Sequence, residues 1–251
     1  MPYIDMNRPR FLRLIREVTE TAHIRTNIGT YKEKTLHRVL KDYFEPDRAR
    51  QEVPVGRFVA DIYSSDGIIE IQTSGLASMR DKLEAFLPLY PVTVVYPVAV
   101  KKWISWIDPA DGSIGDKHRS PKTGRISDVL PELVYILPYL GHKNLTVRVV
   151  LLEIEEYRYL NGRRSLSKKR GSTRYERIPV DLVGIFDFLS PADYRAQLPA
   201  LPAEEFCAKD LTAPLKLRGR RASALVRVFM ETGIIFRCGK RGNAYLYRLS
   251  E

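Results

Sequence analysis

The stretch FVADIYSSDGIIEIQT, residues 58–73, indicates the fold of this chain more clearly than any other segment. It contains two apolar runs, Phe58–Tyr63 and Ile68–Thr73, and the four residues Ser64–Gly67 between them are typical of a tight turn. The segment therefore predicts a β-hairpin. Its apolar flanks further predict strands that are buried on both faces, as in the middle of a sheet.

Two acidic residues, Asp61 and Glu70, interrupt these apolar runs, and Gln72 follows them. Alternate side chains share one face of a strand. A turn centred on Ser65-Asp66 therefore places Asp61 opposite Glu70, and a turn centred on Asp66-Gly67 places it opposite Gln72. Both registers put the three side chains on one face, and only a one-residue bulge would separate them. Facing carboxylates repel unless a cation lies between them, and oxygen ligands suit Mg²⁺, for which Mn²⁺ is an expected substitute.

A third acid, Glu33, lies on a predicted helix over residues 31–44, three residues before Leu36 and seven before Leu40. It therefore shares the buried face of that helix. The alternative interpretation is an ordinary hairpin with Asp61 and Glu70 on its solvent face and Glu33 at the edge of a helix.

The surrounding pattern predicts an α/β core with a mixed sheet, because the order is helix, three strands, helix, strand. Helices are predicted over 7–21, 31–44, 76–87 and 127–139, the last capped by Ser127, and strands over 50–55, 58–63, 68–73, 92–100, 103–107 and 145–157. The basic segment 158–177 is predicted to loop out of a hairpin.

Composition favours a nucleic-acid partner and excludes several other classes. The formal net charge is +11, although other basic soluble proteins share such a charge. Neither the isolated Cys207 and Cys238 nor the four scattered histidines have the spacing of a zinc site or a disulfide framework. No apolar run is long enough for a membrane helix, and residues 1–16 lack the apolar core of a signal peptide, so a cytoplasmic location without membrane partners is expected.

The prolines Pro191, Pro199 and Pro202 predict a linker over 191–203. It would join a core domain over 30–190, preceded by a helical extension over 1–29, to a small domain over 204–251. That domain is predicted to contain three helices and a hairpin with a glycine-bounded basic tip, and it resembles a winged helix-turn-helix whose recognition helix covers 220–232. It carries ten Lys and Arg against two acids between Lys209 and Arg248.

A winged helix with this charge favours DNA binding, and the alternative is a winged helix used for protein contacts or dimerisation. Arg220 and Arg221 are expected at the exposed start of the recognition helix. The segment 163–174 is expected to be either a phosphate clamp or an ordinary surface loop. The predicted DNA-binding residues are Arg218, Arg220, Arg221, Arg227, Lys240 and Arg241 in the small domain and Arg163, Arg164, Lys168, Lys169 and Arg170 in the basic segment.

Residues 30–100 resemble the PD-(D/E)XK nuclease superfamily, through Glu33, Asp61 and the run Glu70-Ile71-Gln72. The resemblance implies a restriction-endonuclease-like core, with Glu33, Asp61, Glu70 and Gln72 as catalytic residues. It also implies that Asp61, Glu70 and the carbonyl of Ile71 hold Mg²⁺, with Glu33 helping directly or through water. The chain departs from the family at Gln72, where lysine is usual, and Lys82 on the following helix is a candidate substitute.

These observations predict a Mg²⁺-dependent DNA endonuclease in which a winged helix positions the DNA on a restriction-endonuclease-like core. Gln72 supports the first alternative, a catalytically inactive DNA-binding regulator. A second alternative is the nuclease subunit of a transposition system, because some of those subunits resemble the same layout. The sequence leaves specificity, strand preference and oligomeric state open, and a homodimer is compatible with it.

Overall fold

The computed structural model describes residues 6–25, 34–73, 75–162 and 171–250, and its centre is a seven-stranded mixed sheet. Six strands follow the order β1-β2-β3-β4-β6-β7, and β5 pairs with β4. The strands β3, β4 and β6 are mutually parallel neighbours, whereas β1, β2 and β7 are antiparallel to theirs. The strands are β1 (Gln51–Val55), β2 (Phe58–Ser64), β3 (Gly67–Ile71), β4 (Val92–Ile107), β5 (His118–Arg119), β6 (Leu145–Gly162) and β7 (Gly171–Phe188).

Helical elements cover both faces of this sheet. The helices α1 (Arg8–Arg25) and α2 (Thr35–Phe44) pack on one face, where Phe11, Leu40 and Ile62 are fully buried. The 3₁₀ turn Leu76–Met79, the helix α3 (Arg80–Phe86) and a longer 3₁₀ segment, Ile126–Tyr139, pack on the other. The predicted class, α/β with a mixed sheet, is confirmed.

The β2–β3 hairpin has the register in which the turn is centred on Ser65-Asp66, since Ser64 pairs with Gly67 and Ile62 with Ile69. Gly67 adopts a φ of 116°, and a side chain there would collide with the carbonyl oxygen of Pro91 at the start of the parallel neighbour β4. A glycine is therefore required at this turn. Of the two registers that the sequence allows, this is the one expected to bring Asp61 opposite Glu70, although the paired residues end at Ile62 and Ile69, one position before them.

Several element boundaries differ from the sequence prediction. The helix α2 begins at Thr35, because Lys34 has an extended conformation. The predicted strands over 92–100 and 103–107 are one continuous strand, with an irregularity in its pairing to β6 between Ala99 and Lys101. Residues 127–139 are 3₁₀-helical and contain two prolines, which explains the absence of a regular α-helix.

The basic segment also departs from the prediction of a simple loop. Arg158–Gly162 and Gly171–Arg177 belong to the paired strands β6 and β7, which extend the hairpin that was predicted. Within the predicted linker, residues Pro191–Arg195 form the helix α4, whose Tyr194 stacks on Phe188 with ring centres 4.9 Å apart.

The C-terminal module contains two helices where three were predicted. Its elements are β8 (Phe206–Cys207), α5 (Ala208–Thr212), α6 (Gly219–Glu231), β9 (Ile235–Arg241) and β10 (Ala244–Leu249), and its strands form a sheet in the order β8-β10-β9. The helix α6 packs on the 3₁₀ segment Ile126–Tyr139. As a result, Leu225 and Phe229 share one continuous apolar core with Leu133 and Ile136. Among the described residues, no helix has both the length and the apolar character needed to cross a membrane.

Candidate active site and basic surfaces

The candidate site lies where β2 and β3 diverge. Their paired register ends at Ile62 and Ile69. Immediately beyond this pair, the backbone N–H of Ile71 donates to the Oδ2 atom of Asp61, at 2.7 Å. A carboxylate thus takes the place of a backbone acceptor, and this contact holds the acidic side chain of β2 against the residue that follows Glu70 on β3.

His37 on α2 supports the same carboxylate. Its Nε2 atom lies 3.2 Å from Asp61 Oδ2, and an ionised carboxylate can only accept, so Nε2 carries the proton. Burial raises the pKa of Asp61, but the hydrogen bonds from His37 and Ile71 and the charge of Lys82 outweigh burial. The net pKa of Asp61 lies below its ordinary value, and this side chain is ionised at neutral pH.

Glu70 has the opposite electrostatic character. Its side chain is fully buried, and both of its carboxylate oxygens face the ammonium of Lys82 on α3, at 2.9 Å and 2.7 Å. Lys82 Nζ also donates to the carbonyl oxygen of Val59, at 2.7 Å. Burial first, and then the charge of Asp61, raise the pKa of Glu70 to about 7 in spite of the lysine. A further positive charge near Glu70 would therefore stabilise its ionised form and lower its pKa.

Gln72 lies at the end of β3, where its backbone N–H donates to Val95 O at 2.8 Å. Its side-chain oxygen accepts a hydrogen bond from Ser78 Oγ, at 3.3 Å. The cation at the paired carboxylates is therefore supplied by Lys82, twelve residues after Glu70, and not by the position that follows Ile71.

The predicted site residues fall into three groups: those that the structure brings together, one that lies beside them with a different contact, and those outside the described residues. Asp61, Glu70 and the backbone of Ile71 are brought together, whereas Gln72 contacts Ser78. Glu33 lies outside the described residues, and so do Arg163, Arg164, Lys168, Lys169 and Arg170. Within the described residues, no group of three or more His, Cys, Asp and Glu side chains is arranged to hold a metal ion.

Sequence reasoning missed His37, which it treated as one of four scattered histidines. A signal was present, because His37 directly follows the core residue Leu36 and lies four residues after Glu33. Residues at that spacing share a face of a predicted helix.

Exposed basic residues in the C-terminal module lie on α6 and on the β9–β10 hairpin. Arg218, Arg220, Arg227, Lys240 and Arg241 are exposed, and the exposure of Arg220 was predicted. Arg237 and Lys240 lie over the ring of Tyr245, at 3.6 Å and 4.7 Å from its centre. A groove of about 470 Å³ separates α6 from this hairpin, with Arg227, Arg237 and Tyr245 among its lining residues.

Arg221 contradicts the prediction that it lies exposed beside Arg220. It is half-buried, and its Nη2 atom donates to the backbone oxygen of Asp128, at 3.2 Å. The helical rotation of about 100° per residue explains the difference. Arg220 faces solvent, whereas Arg221 shares the buried side of α6 with Leu225 and turns toward the 3₁₀ segment.

Comparison with known proteins places this fold in a family. A family model described as "Domain of unknown function (DUF8091)" matches residues 34–188. The chain belongs to this family. The matched range contains Asp61, Glu70 and Lys82 and ends with β7, so the candidate site lies inside the family domain.

A relative from Treponema pallidum (strain Nichols), named "Uncharacterized protein", is 31% identical over 229 residues. The match covers 88% of this chain and 87% of the relative, so the similarity extends beyond the family domain into the C-terminal module. No solved structure matches the chain.

Proposed function

We propose that this protein is a metal-dependent DNA endonuclease, with a core that resembles the PD-(D/E)XK nucleases and a C-terminal winged helix that positions DNA. The observation that carries the proposal is the meeting of Asp61 and Glu70 at the divergence of β2 and β3, beside the Lys82 ammonium. Two carboxylates on a mixed sheet, with a lysine on the neighbouring helix α3, could hold a metal ion and stabilise charge during hydrolysis of a phosphodiester.

The donor set fits Mg²⁺. Asp61, Glu70 and the carbonyl of Ile71 would hold the ion, which needs only one or two protein carboxylates because water and substrate phosphates complete its shell. The raised pKa of the buried Glu70 supports the assignment, since a divalent cation would stabilise its ionised form. When bound, such an ion lowers the pKa of a water molecule and offsets charge on the phosphate.

Two neighbouring side chains complete the proposed site. His37 fixes the orientation of the Asp61 carboxylate through its Nε2–H. Lys82 takes the role that the superfamily resemblance gives to lysine at the position of Gln72. Its ammonium stabilises negative charge on the scissile phosphate, which the neutral amide of Gln72 cannot do.

The C-terminal module supports DNA as the substrate. Its order of β8, α5, α6 and the β9–β10 hairpin resembles part of a winged helix, and α6 would take the place of the recognition helix. Arg220 and Arg227 are exposed on α6, and the basic hairpin lies across the groove from Arg227. These residues are the proposed contacts to DNA phosphates.

The Lys82–Glu70 ion pair also favours a second candidate, a DNA-binding regulator without catalysis. An ammonium that already neutralises Glu70 makes a metal ion less necessary there. The two candidates share the winged helix and differ only in cleavage.

Incubation of the full chain with supercoiled plasmid and with branched DNA, in Mg²⁺, Mn²⁺ or EDTA, separates them. Cleavage should depend on the divalent ion and should be lost in Asp61→Ala and in Glu70→Ala. Asp66→Ala is a matched control, because Asp66 is an exposed acid in the turn of the same hairpin. Cleavage in EDTA, or full activity in both site variants, would rule out the endonuclease.

A further inference from the structure

A cluster of basic side chains surrounds one buried carboxylate where β4 meets the β6–β7 hairpin. Glu156 is only 2% exposed. Its carboxylate lies 3.4 Å from Lys102 Nζ, 3.1 Å from Arg158 Nη1 and 3.5 Å from Arg174 Nε. We call Lys102, Glu156, Arg158 and Arg174 the hairpin cluster. Three cations share a single anion in it, so the cluster has an excess of two positive charges.

The strand register brings the like charges of this cluster close together, which is electrostatically unfavourable. Arg158 and Arg174 are direct partners across the β6–β7 ladder, and like charges at such a position destabilise a sheet. The Nε atom of Arg158 is also buried and has no hydrogen-bond acceptor among the described residues. A buried donor without an acceptor is unfavourable, and guanidinium groups bind phosphate oxygens well. The cluster therefore has an excess of positive charge, and its partly exposed ammonium and guanidinium groups can donate to an anion.

An anion can reach these residues from solvent. The side chains of Lys102, Arg158 and Arg174 are 20%, 27% and 42% exposed. The carboxylate alone is enclosed. This arrangement differs from an interior ion pair, in which both partners are shielded from solvent.

Arg177 connects the cluster to the candidate active site. It is the cross-strand partner of Glu156, and its Nη2 atom donates to the backbone oxygen of Thr73. Three residues of extended chain, about 10 Å, separate Thr73 from Glu70. The hairpin cluster and the paired carboxylates therefore lie near the same short segment at the end of β3.

We propose that Lys102, Arg158 and Arg174 bind a backbone phosphate of DNA that flanks the phosphate at Asp61 and Glu70. The inference rests on the proposed function for its ligand. Arg177 is a positioning residue, since its guanidinium holds Thr73 beside the cluster.

The test is DNA binding by the full chain in EDTA, measured as fluorescence anisotropy of a labelled duplex at several salt concentrations. The double variant Arg158→Gln/Arg174→Gln should bind more weakly, and the slope of log affinity against log salt should be shallower by about 0.9, the value for one phosphate contact. The control Arg13→Gln/Lys143→Gln removes the same charge from exposed positions on α1 and before the start of β6 and should keep the wild-type slope.

A second measurement maps the contacted phosphate with the same double variant, whose folding is checked by its melting temperature. Neutral methylphosphonate linkages, placed singly along the duplex, should reveal one linkage at which the wild-type protein loses affinity and the double variant does not. A wild-type profile without a sensitive linkage attributable to these arginines, or equal slopes for wild type and double variant, overturns the phosphate site.

Neither measurement involves cleavage, so the two proposals can fail separately. If the slope changes as expected but the wild type does not cut DNA in Mg²⁺, the phosphate site stands and the endonuclease does not. If the wild type cuts DNA but the slopes are equal, the endonuclease stands and the phosphate site does not.

Discussion

Asp61 and Glu70 carry the same charge, yet their pKa values move in opposite directions. Asp61 accepts hydrogen bonds from His37 and from the backbone of Ile71, which favour its ionised form. Glu70 is more deeply buried and experiences the charge of Asp61, which favours its protonated form despite Lys82. Asp61, which is ionised at neutral pH, thus lies beside Glu70, whose ionisation is disfavoured. Such perturbed pKa values are common at functional sites.

The raised pKa of Glu70 predicts a specific dependence of stability on pH. Folded protein retains a proton on Glu70 from its ordinary pKa of 4.5 up to about 7, whereas unfolded protein has lost it. Stability from this group is therefore lost as pH rises through that interval. In EDTA, the melting temperature of wild type should fall relative to Glu70→Gln between about pH 5 and about pH 8. Thermal denaturation measures the difference.

Glutamine at position 70 does not titrate in this pH range, so the change with pH in the difference between the two melting temperatures reports the titration of Glu70, including its ion pair with Lys82. Asp66→Asn, in the exposed turn, serves as the control and should show no such change. A constant difference between wild type and Glu70→Gln would contradict a raised pKa.

Lys82 and Gln72 should differ in their importance for cleavage. Lys82→Met removes the only ammonium that contacts Glu70 among the described residues and should lower kcat by about 10²-fold or more. Gln72→Ala removes a neutral contact to Ser78 and should slow cleavage by about 10-fold or less. Gln72→Ala should also bind DNA with nearly wild-type affinity, because Gln72 belongs to none of the proposed phosphate-binding groups.

Single-turnover cleavage measures both effects, and Lys143→Met provides a control for loss of an exposed lysine. A larger defect in Gln72→Ala than in Lys82→Met would return the catalytic role to the third signature position.

At the scale of an element, the neighbouring arginines of α6 lie in different environments: Arg221 packs against the protein and Arg220 is exposed to solvent. Arg221, Leu225, Val228 and Phe229 lie on the side that packs into the protein, whereas Arg220 is exposed. The buried side holds the helix on the 3₁₀ segment through the bond from Arg221 to Asp128 O. The exposed side remains available for a ligand.

Substitution of the two neighbouring arginines should separate their roles. Arg221→Ala should lower the melting temperature by about 2–6 °C, since a half-buried hydrogen bond and its packing are worth about 1–2 kcal/mol in a chain of this size. Arg220→Ala should leave the melting temperature unchanged and reduce the salt slope of DNA binding by about 0.9. Denaturation and anisotropy titration on both variants measure these effects. Equal melting temperatures would show that Arg221 does not fasten α6 to the core.

At the scale of the whole molecule, the C-terminal module completes the apolar core of the family domain. Phe206, Leu225 and Phe229 lie in the same buried cluster as Leu133 and Ile136 on the 3₁₀ segment. This arrangement places the start of α6 against the core and fixes the proposed DNA-binding helix relative to the candidate site. The sequence had suggested a small domain over 204–251 joined to the core by a linker.

Removal of residues 204–251 should therefore unfold or aggregate the remaining chain, because it exposes the apolar side of the 3₁₀ segment. Size-exclusion chromatography and thermal denaturation measure the outcome. The full-length variant Arg220→Glu/Arg227→Glu is the control and should lose DNA affinity while it unfolds cooperatively near the wild-type temperature. A soluble truncated protein that still nicks DNA in Mg²⁺ would show that the module folds and acts independently.

The sequence by itself determined the local features of this protein. Strand alternation and the Ser64–Gly67 turn predict the β2–β3 hairpin that carries Asp61 and Glu70, and helical spacing predicts α1 and the helix that contains α3, since these patterns depend on neighbouring residues. The extra length of β6 and β7 and the 3₁₀ form of Ile126–Tyr139 were not predicted, because pairing and prolines overrode the local propensities.

Only the tertiary structure decided which groups from distant segments meet. The contact of His37 with Asp61 spans 24 residues, that of Arg221 with Asp128 spans 93, and that of Arg177 with Thr73 spans 104. Each depends on how a helix or hairpin packs against the sheet, which the periodicity of one segment does not specify. Burial and pairing of charges are properties of that packing, and they distinguish the carboxylates and arginines of the candidate site from equivalent residues on a solvated surface.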